Sequence, residues 1–132
     1  MFGLLLNRQK LLTDAKRLGR WGEYRCEKFL RQKGFKTLTR NFSCKAGEID
    51  LVMADPQGAV VFVEVKTRAD ELFGPAELVI TLAKKQKMAQ TARYFISEHN
   101  LHSRPCRFDI VAIVLGQKGK PQIRHYQNAF VP

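Results

Sequence analysis

Apolar positions recur along this chain with two different spacings, and each change of spacing marks where an element is expected to end. Between residues 13 and 33, Leu18, Gly22, Cys26, Phe29 and Leu30 fall at helical intervals and predict an amphipathic helix. Thr13 can cap its start and Gly34 can stop it. A strand is expected over 35–41 and a loop over 43–47. Thr81 can cap a second helix from about Leu82 to Glu98, with Met88, Ala89, Ala92, Phe95 and Ile96 as its buried stripe. Residues 110–115 are apolar on both faces, as a fully covered strand would be. A turn over 116–121 then leads to a last strand over 122–128. Residues 1–12 read as an extended or flexible segment at the start of a single domain spanning 1–132.

The most informative stretch is GEIDLVMADPQGAVVFVEVKTR. Two apolar runs flank Asp55-Pro56-Gln57-Gly58, a turn signal in which Pro56 suits a type I turn and Gly58 the left-handed residue closing a three-residue loop. That loop places Asp55 opposite Ala59. Counting back, Asp50 faces Glu64, Glu48 faces Lys66 and Val52 faces Phe62. Side chains alternate along a strand, so Glu48, Asp50, Glu64 and Lys66 share one face with Val52 and Phe62, and Ile49, Leu51, Met53, Val61 and Val63 share the other. A two-residue loop would instead pair Asp50 with Val63 and scatter the charges. Both faces are apolar away from the charged end, so helices should cover the hairpin on both sides. The order α, β, β, β, α, β, β predicts an α/β fold with a central mixed β-sheet flanked by helices.

Paired carboxylates on a covered strand need an offsetting charge. A divalent cation supplies it: Mg²⁺ prefers oxygen ligands and commonly takes one or two carboxylates. Asp50 and Glu64 are the candidate ligands, with the backbone carbonyl of Val65 as a further one. Lys66 could position or help deprotonate the attacking water, or stabilise charge building on a phosphate. The plainer alternative is that Glu64-x-Lys66 is a solvated ion pair on a strand. Glu48, opposite Lys66, could hold it in place, and Asp109 reads as a structural carboxylate at the start of a buried strand.

Charge sharpens the choice of partner. Lys and Arg number 23 against 12 acids, a net +11 that suits a polyanion such as nucleic acid. Arg68 follows the Glu64–Lys66 strand, and Lys84, Lys85 and Lys87 crowd the start of the second helix, where a phosphate would relieve their conflict with the helix dipole. No run approaches a membrane span and no secretory leader is apparent, so a cytoplasmic protein without a membrane partner is expected. Cys26, Cys44 and Cys106 show no zinc or disulfide spacing. His99, His102 and His125 lack metal-ligand spacing and read as ordinary surface or loop residues.

Asp50 followed by Glu64-Val65-Lys66 after a hairpin resembles the PD-(D/E)xK nuclease superfamily, although Ile49 stands where that motif nominally has proline. The chain as a whole resembles the YraN-like bacterial family. The matching pieces are Gly19, Gly22-Glu23, Asn41, Gly47-Glu48-Ile49-Asp50, Phe62-Val63-Glu64-Val65-Lys66, Arg68 and Arg107-Phe108-Asp109. The resemblance implies a restriction-endonuclease-like fold, similar to archaeal Holliday-junction resolvases, and use of Mg²⁺ or Mn²⁺. It also implies that Glu23 joins the catalytic set, and that Gln86 matches a second-helix glutamine that contacts nucleic acid. Glu23 lies on one stripe with Gly19, Cys26 and Leu30, and pairing with an arginine is its structural alternative.

Three functions follow as expectations. One is a metal-dependent endonuclease acting on DNA, branched or otherwise structured DNA included, for which a homodimer would suit a junction substrate. The second is a non-catalytic nucleic-acid-binding module with the same fold. The third is a partner subunit whose basic face docks an acidic protein.

Overall fold

The Pro56 turn sets the centre of the sheet. Strand β2 (Gly47–Ala54) pairs antiparallel with β3 (Val60–Arg68), with Leu51 opposite Val63, Val52 opposite Phe62 and Ala54 opposite Val60. Gly58, at φ +93°, donates its N–H to the Asp55 carbonyl, and Asp55 N–H reaches the Ala59 carbonyl. Asp55 Oδ1 also accepts the N–H groups of Gln57 and Ala59. This is the three-residue loop, and it fixes the register the sequence predicts.

The structure, a computed structural model, describes residues 2–116 and 119–131. Around the hairpin, β1 (Lys36–Cys44) pairs with β2. β4 (Cys106–Val114) lies parallel to β3, and β5 (Gln122–Phe130) closes the far edge antiparallel to β4. The strand order β1-β2-β3-β4-β5 makes a mixed five-stranded sheet. The parallel joint forces a crossover. That crossover contains a 3₁₀ turn (Ala76–Val79) and helix α3, which spans Leu82–Glu98 as expected and is capped by the Thr81 hydroxyl accepting Lys84 N–H.

Each face of the sheet has its own core. On one side Val52, Val60, Phe62, Phe108 and Ile110 pack against Met88, Ala89, Ala92 and Phe95 of α3. On the other, Leu51, Met53, Val61, Val63, Val111 and Ile113 pack against Cys26 and Leu30 of α2 (Ala15–Gln32). Ile49 sits in the α3-side core with Val52, not with Leu51 and Met53 as strict alternation predicts. The strand is irregular at this point: Asn41 on β1, at φ +51°, lies between the pairs Arg40–Leu51 and Phe42–Ile49, opposite Asp50.

At the N-terminal end, Phe2–Thr13 forms a helix, α1, where the sequence reading expects an extended or flexible segment. Thr13 therefore ends one helix and does not cap the next. Its hydroxyl donates to the Gln9 and Lys10 carbonyls, while the Asp14 side chain accepts Lys16 and Arg17 N–H and caps α2. Strand β1 runs on to Cys44, so the loop expected over 43–47 shrinks to the turn at Lys45 and Ala46. Of the turn expected over 116–121, Gln117 and Lys118 lie outside the described residues.

Gly22 decides how closely α2 can lie on the sheet. A Cβ added there would stand 1.8 Å from the Thr67 hydroxyl oxygen and 2.8 Å from Thr67 Cβ. Gly22→Ala gains about 1 kcal/mol of helix propensity. Overpacking against a β-branched neighbour costs about 1–3 kcal/mol and pushes α2 outward. The expected outcome is a net loss of stability in urea unfolding, together with displacement of Glu23, the next residue.

Candidate active site

The charged end of the hairpin opens into a cleft of about 450 Å³. Its lining brings together Gly19 and Glu23 from α2, Asp50 from β2, and Glu64, Val65, Lys66, Thr67, Arg68 and Ala69 from β3 and its exit. Three elements thus deliver the candidate acids: α2 through the close Gly22–Thr67 contact, and the two hairpin strands through the register set at Gly58.

Asp50 and Glu64 lie just beyond the last cross-strand pair, Leu51–Val63. In place of a regular ladder bond, the Val65 N–H donates to Asp50 Oδ2 at 2.9 Å. Glu64 is 4% exposed. Burial, then the Glu64 charge, pushes the Asp50 carboxyl up to about 7; a hydrogen bond with Glu64 adds to the rise, while the Val65 N–H and Lys84 oppose it. Asp50 therefore holds its proton up to about neutrality, as a carboxyl forced beside a like charge does. Glu23 is raised as well, chiefly by burial and then by the charges of Asp50 and Glu48. Among the described residues no arginine pairs with Glu23. It is Glu27, one turn on, that binds Arg40 at 2.7 Å.

Two lysines meet Glu64. Lys66 Nζ lies 3.5 Å from Glu64 Oε2, and Lys84 Nζ reaches the same oxygen at 3.7 Å from the first turn of α3. Glu48 does not hold Lys66: it is exposed and pairs across to Ser43 of β1, because the β2–β3 ladder has already ended. The other basic candidates separate. Arg68 lines the cleft and donates to the Thr67 carbonyl at 2.9 Å. Lys85 leans over the Phe130 ring at 5.4 Å, beside β5. Lys87 and Gln86 are exposed on α3 and do not line the cleft.

The arrangement fits a divalent cation. A half-buried and a buried carboxylate side by side are costly together, and a shared cation would remove that cost. Among the described residues no group of three or more His, Cys, Asp or Glu side chains converges as a ready-made cage. The side chains that could contribute to a ligand set here are Asp50 and Glu64, with Glu23 on the same cleft. One or two carboxylates are the usual protein contribution to Mg²⁺ where substrate oxygens and water complete the shell.

A second polar cluster is one the sequence reading missed. Asp109, fully buried, accepts from Arg107 Nε at 3.0 Å and from the Asn128 N–H at 2.9 Å, and bonds His125 Nε2 at 2.8 Å. His125, expected at the surface, is enclosed between Phe29 and Phe35, with Lys33 Nζ 3.2 Å from Nδ1. Only the pairing of β5 with β4 brings residue 125 to residue 109, and no local pattern announces it. Asp109 reads as structural from both sequence and contacts. The cysteines stand as free thiols, and burial pushes the Cys26 thiol far up, so it is inert. Among the described residues no helix is long and apolar enough to cross a membrane.

Residues 22–113 match the model of the uncharacterised protein family UPF0102. A UPF0102 protein of Pelobacter propionicus is 42% identical over 118 residues, covering 89% of this chain and 84% of its own length. Another, of Methylobacillus flagellatus, is 44% identical over 116 residues, covering 87% and 97%. Among solved structures, a repair endonuclease from Pyrococcus abyssi matches 68% of this chain at 23% identity, with a TM-score of 0.36. A complex of EndoMS with double-stranded DNA matches 64% at 20% identity, with a TM-score of 0.33. The matched regions cover 34% and 30% of those two chains.

Proposed function

For a chain that belongs to the uncharacterised protein family UPF0102, the YraN-like proteins, we propose a divalent-metal-dependent endonuclease that hydrolyses phosphodiester bonds in DNA. The observation that carries this reading is the pairing of half-buried Asp50 with buried Glu64 in a cleft open to solvent, with Lys66 beside them. Such a pair is unfavourable as scaffolding and useful as a cation seat.

Asp50 and Glu64 would hold Mg²⁺ or Mn²⁺, with the Val65 carbonyl as a further oxygen. A bound cation of this kind polarises a phosphoryl oxygen and raises the acidity of water. Lys66, kept near the cleft by Glu64, orients the attacking water and offers positive charge to the phosphate as charge develops. Glu23 faces the same space from α2 and suits a proton acceptor, its carboxyl raised above the ordinary value by burial and its acidic neighbours. Arg68 on the cleft wall suits a backbone phosphate, and the net charge of +11 suits a DNA polyanion.

The alternative, a non-catalytic nucleic-acid-binding module, draws on Lys84: with Lys66 it already neutralises Glu64 from two sides. One experiment separates the readings. Supercoiled, branched, single-stranded and duplex DNA are incubated with Mg²⁺ or Mn²⁺, and cleavage is followed by gel for wild type and Lys66→Ala. The endonuclease reading expects metal-dependent cleavage, reduced on the order of a hundredfold or more in Lys66→Ala. DNA binding by wild type without cleavage in either metal supports the binding module.

A further inference from the structure

Just beyond the cleft, the chain turns a pair of large apolar side chains outward. Leu72 is 82% exposed and Phe73 fully so. Single exposed apolar residues are commonplace, but this loop is braced beneath them. Asp70 accepts the Leu72 N–H at 3.1 Å, Glu71 accepts the Ala76 N–H at 2.8 Å, and the Gly74 N–H donates to the Glu71 carbonyl at 3.1 Å. Gly74 stands at φ +118°, a conformation suited to glycine. Arg124 of β5 pairs with both Glu71 and Glu77, tying the two ends of the loop to the sheet. The polar side chains fix the base, and the apolar ones are left as the tip.

Position and charge select what the tip meets. Phe73 follows Ala69, a cleft-lining residue, by four positions, so the two Cα atoms are at most about 14 Å apart. That is about four nucleotide steps along one DNA strand. The loop leads from Arg68 to Lys84 at the start of α3, so a strand held by those two cations at the cleft passes beside it. A second copy of a chain carrying +11 would bring like charge to the same place.

We propose that Leu72 and Phe73 form a base-contacting tip: Phe73 stacks on an unpaired base, with Leu72 packed alongside, in DNA whose backbone lies in the Asp50–Glu64 cleft. The tip thereby gives the protein its preference for DNA with interrupted stacking. Aromatic platforms on basic surfaces bind single-stranded bases in this way, and apolar wedges enter weakened base steps. The proposal rests on the nuclease reading of the cleft.

The test compares a plain duplex with the same duplex carrying a two-nucleotide bulge that contains 2-aminopurine, by fluorescence anisotropy in EDTA and again in Mg²⁺. Wild type is expected to bind the bulged duplex about tenfold more tightly, in the range of one base–aromatic stack, and to quench the 2-aminopurine. Phe73→Ala should lose both effects and keep its affinity for plain duplex, while Phe73→Trp should keep all three. Undiminished preference and quenching in Phe73→Ala overturn the proposal and leave the cleft reading standing. So does sedimentation showing a wild-type dimer that Phe73→Ala dissolves, which assigns the tip to a second copy. If wild type neither binds nor cleaves DNA in either condition, the nuclease reading fails and takes this proposal with it.

Discussion

Asp50→Asn is expected to abolish metal-dependent cleavage and, in chelator, to make the protein more stable at pH 8. The first effect follows from losing a cation ligand worth several kcal/mol to the transition state, a rate loss of about a thousandfold or more. The second follows from proton linkage. The Asp50 carboxyl lies at about 7 in the folded protein against an ordinary 3.8, so the folded chain keeps that proton longer than the unfolded chain does. Stability without metal should therefore fall as pH rises from about 4 through about 7, by about 4 kcal/mol in all. Asp55, Asp109, Glu27 and Glu77 are all held below the usual carboxylate range. They favour the folded state above about pH 4.5, and their contributions are lost towards lower pH, so a fall between pH 5 and 7 reports the raised carboxyls, Asp50 with Glu23 beside it. Urea unfolding at pH 5, 6, 7 and 8 in EDTA should show this slope for wild type and a clearly shallower one for Asp50→Asn, in which only Glu23 stays raised. Saturating Mg²⁺ should restore wild type at pH 8 and leave the variant unchanged. A flat wild-type profile would refute the linkage, and Mg²⁺-stabilised Asp50→Asn would refute the ligand assignment.

Asp109→Ala is expected to be the most damaging substitution away from the cleft. Its carboxylate is fully buried and joined to Arg107, His125 and the Asn128 backbone. Burial pushes its carboxyl up, but the hydrogen bonds from His125, Arg107 and Asn128 outweigh that and hold it below the usual range. Removing it leaves His125 enclosed among aromatic rings without its acceptor and weakens the Arg107 link that also reaches Asp55 at the hairpin turn. Breaking a buried pair of this kind costs about 3–5 kcal/mol, a large share of the 5–15 kcal/mol typical of a domain. The urea midpoint should fall sharply, and near-ultraviolet circular dichroism should lose the signal of the packed aromatic residues. A midpoint within experimental error of wild type would show that the cluster contributes little.

Where a local signal fixed the geometry, the sequence was enough. Pro56 and Gly58 specify the loop type, the loop type specifies the register, and the register brings Asp50 and Glu64 together at the open end of the hairpin. Thr81 fixes the start of α3 because its hydroxyl caps the first turn. Legibility failed where adjacent residues compete or where distant segments meet. Thr13 and Asp14 are both competent caps, and Asp14 takes the role because α1 extends through Thr13. The irregularity that moves Ile49 into the α3-side core has one faint sign in the sequence, Asn41, a residue type that tolerates positive φ. Neither the pairing of Lys84 with Glu64 nor that of His125 with Asp109 was visible, since each needs a helix or an edge strand to dock first. The cluster of Lys84, Lys85 and Lys87 read as one basic patch, but consecutive positions point about 100° apart, which sends Lys84 to Glu64 and Lys85 to Phe130, while Lys87, one turn on from Lys84, is exposed and does not line the cleft.

The β2–β3 ladder stops at Leu51 and Val63, one residue short of the two acids. There the two strands part from each other while each stays paired with its outer neighbour, β2 with β1 and β3 with β4, and the Val65 N–H on Asp50 bridges the gap. The gap between the two carboxylates is therefore set by paired strands, and a cation seated there would be sorted by its ionic radius as well as by the number of oxygens it demands.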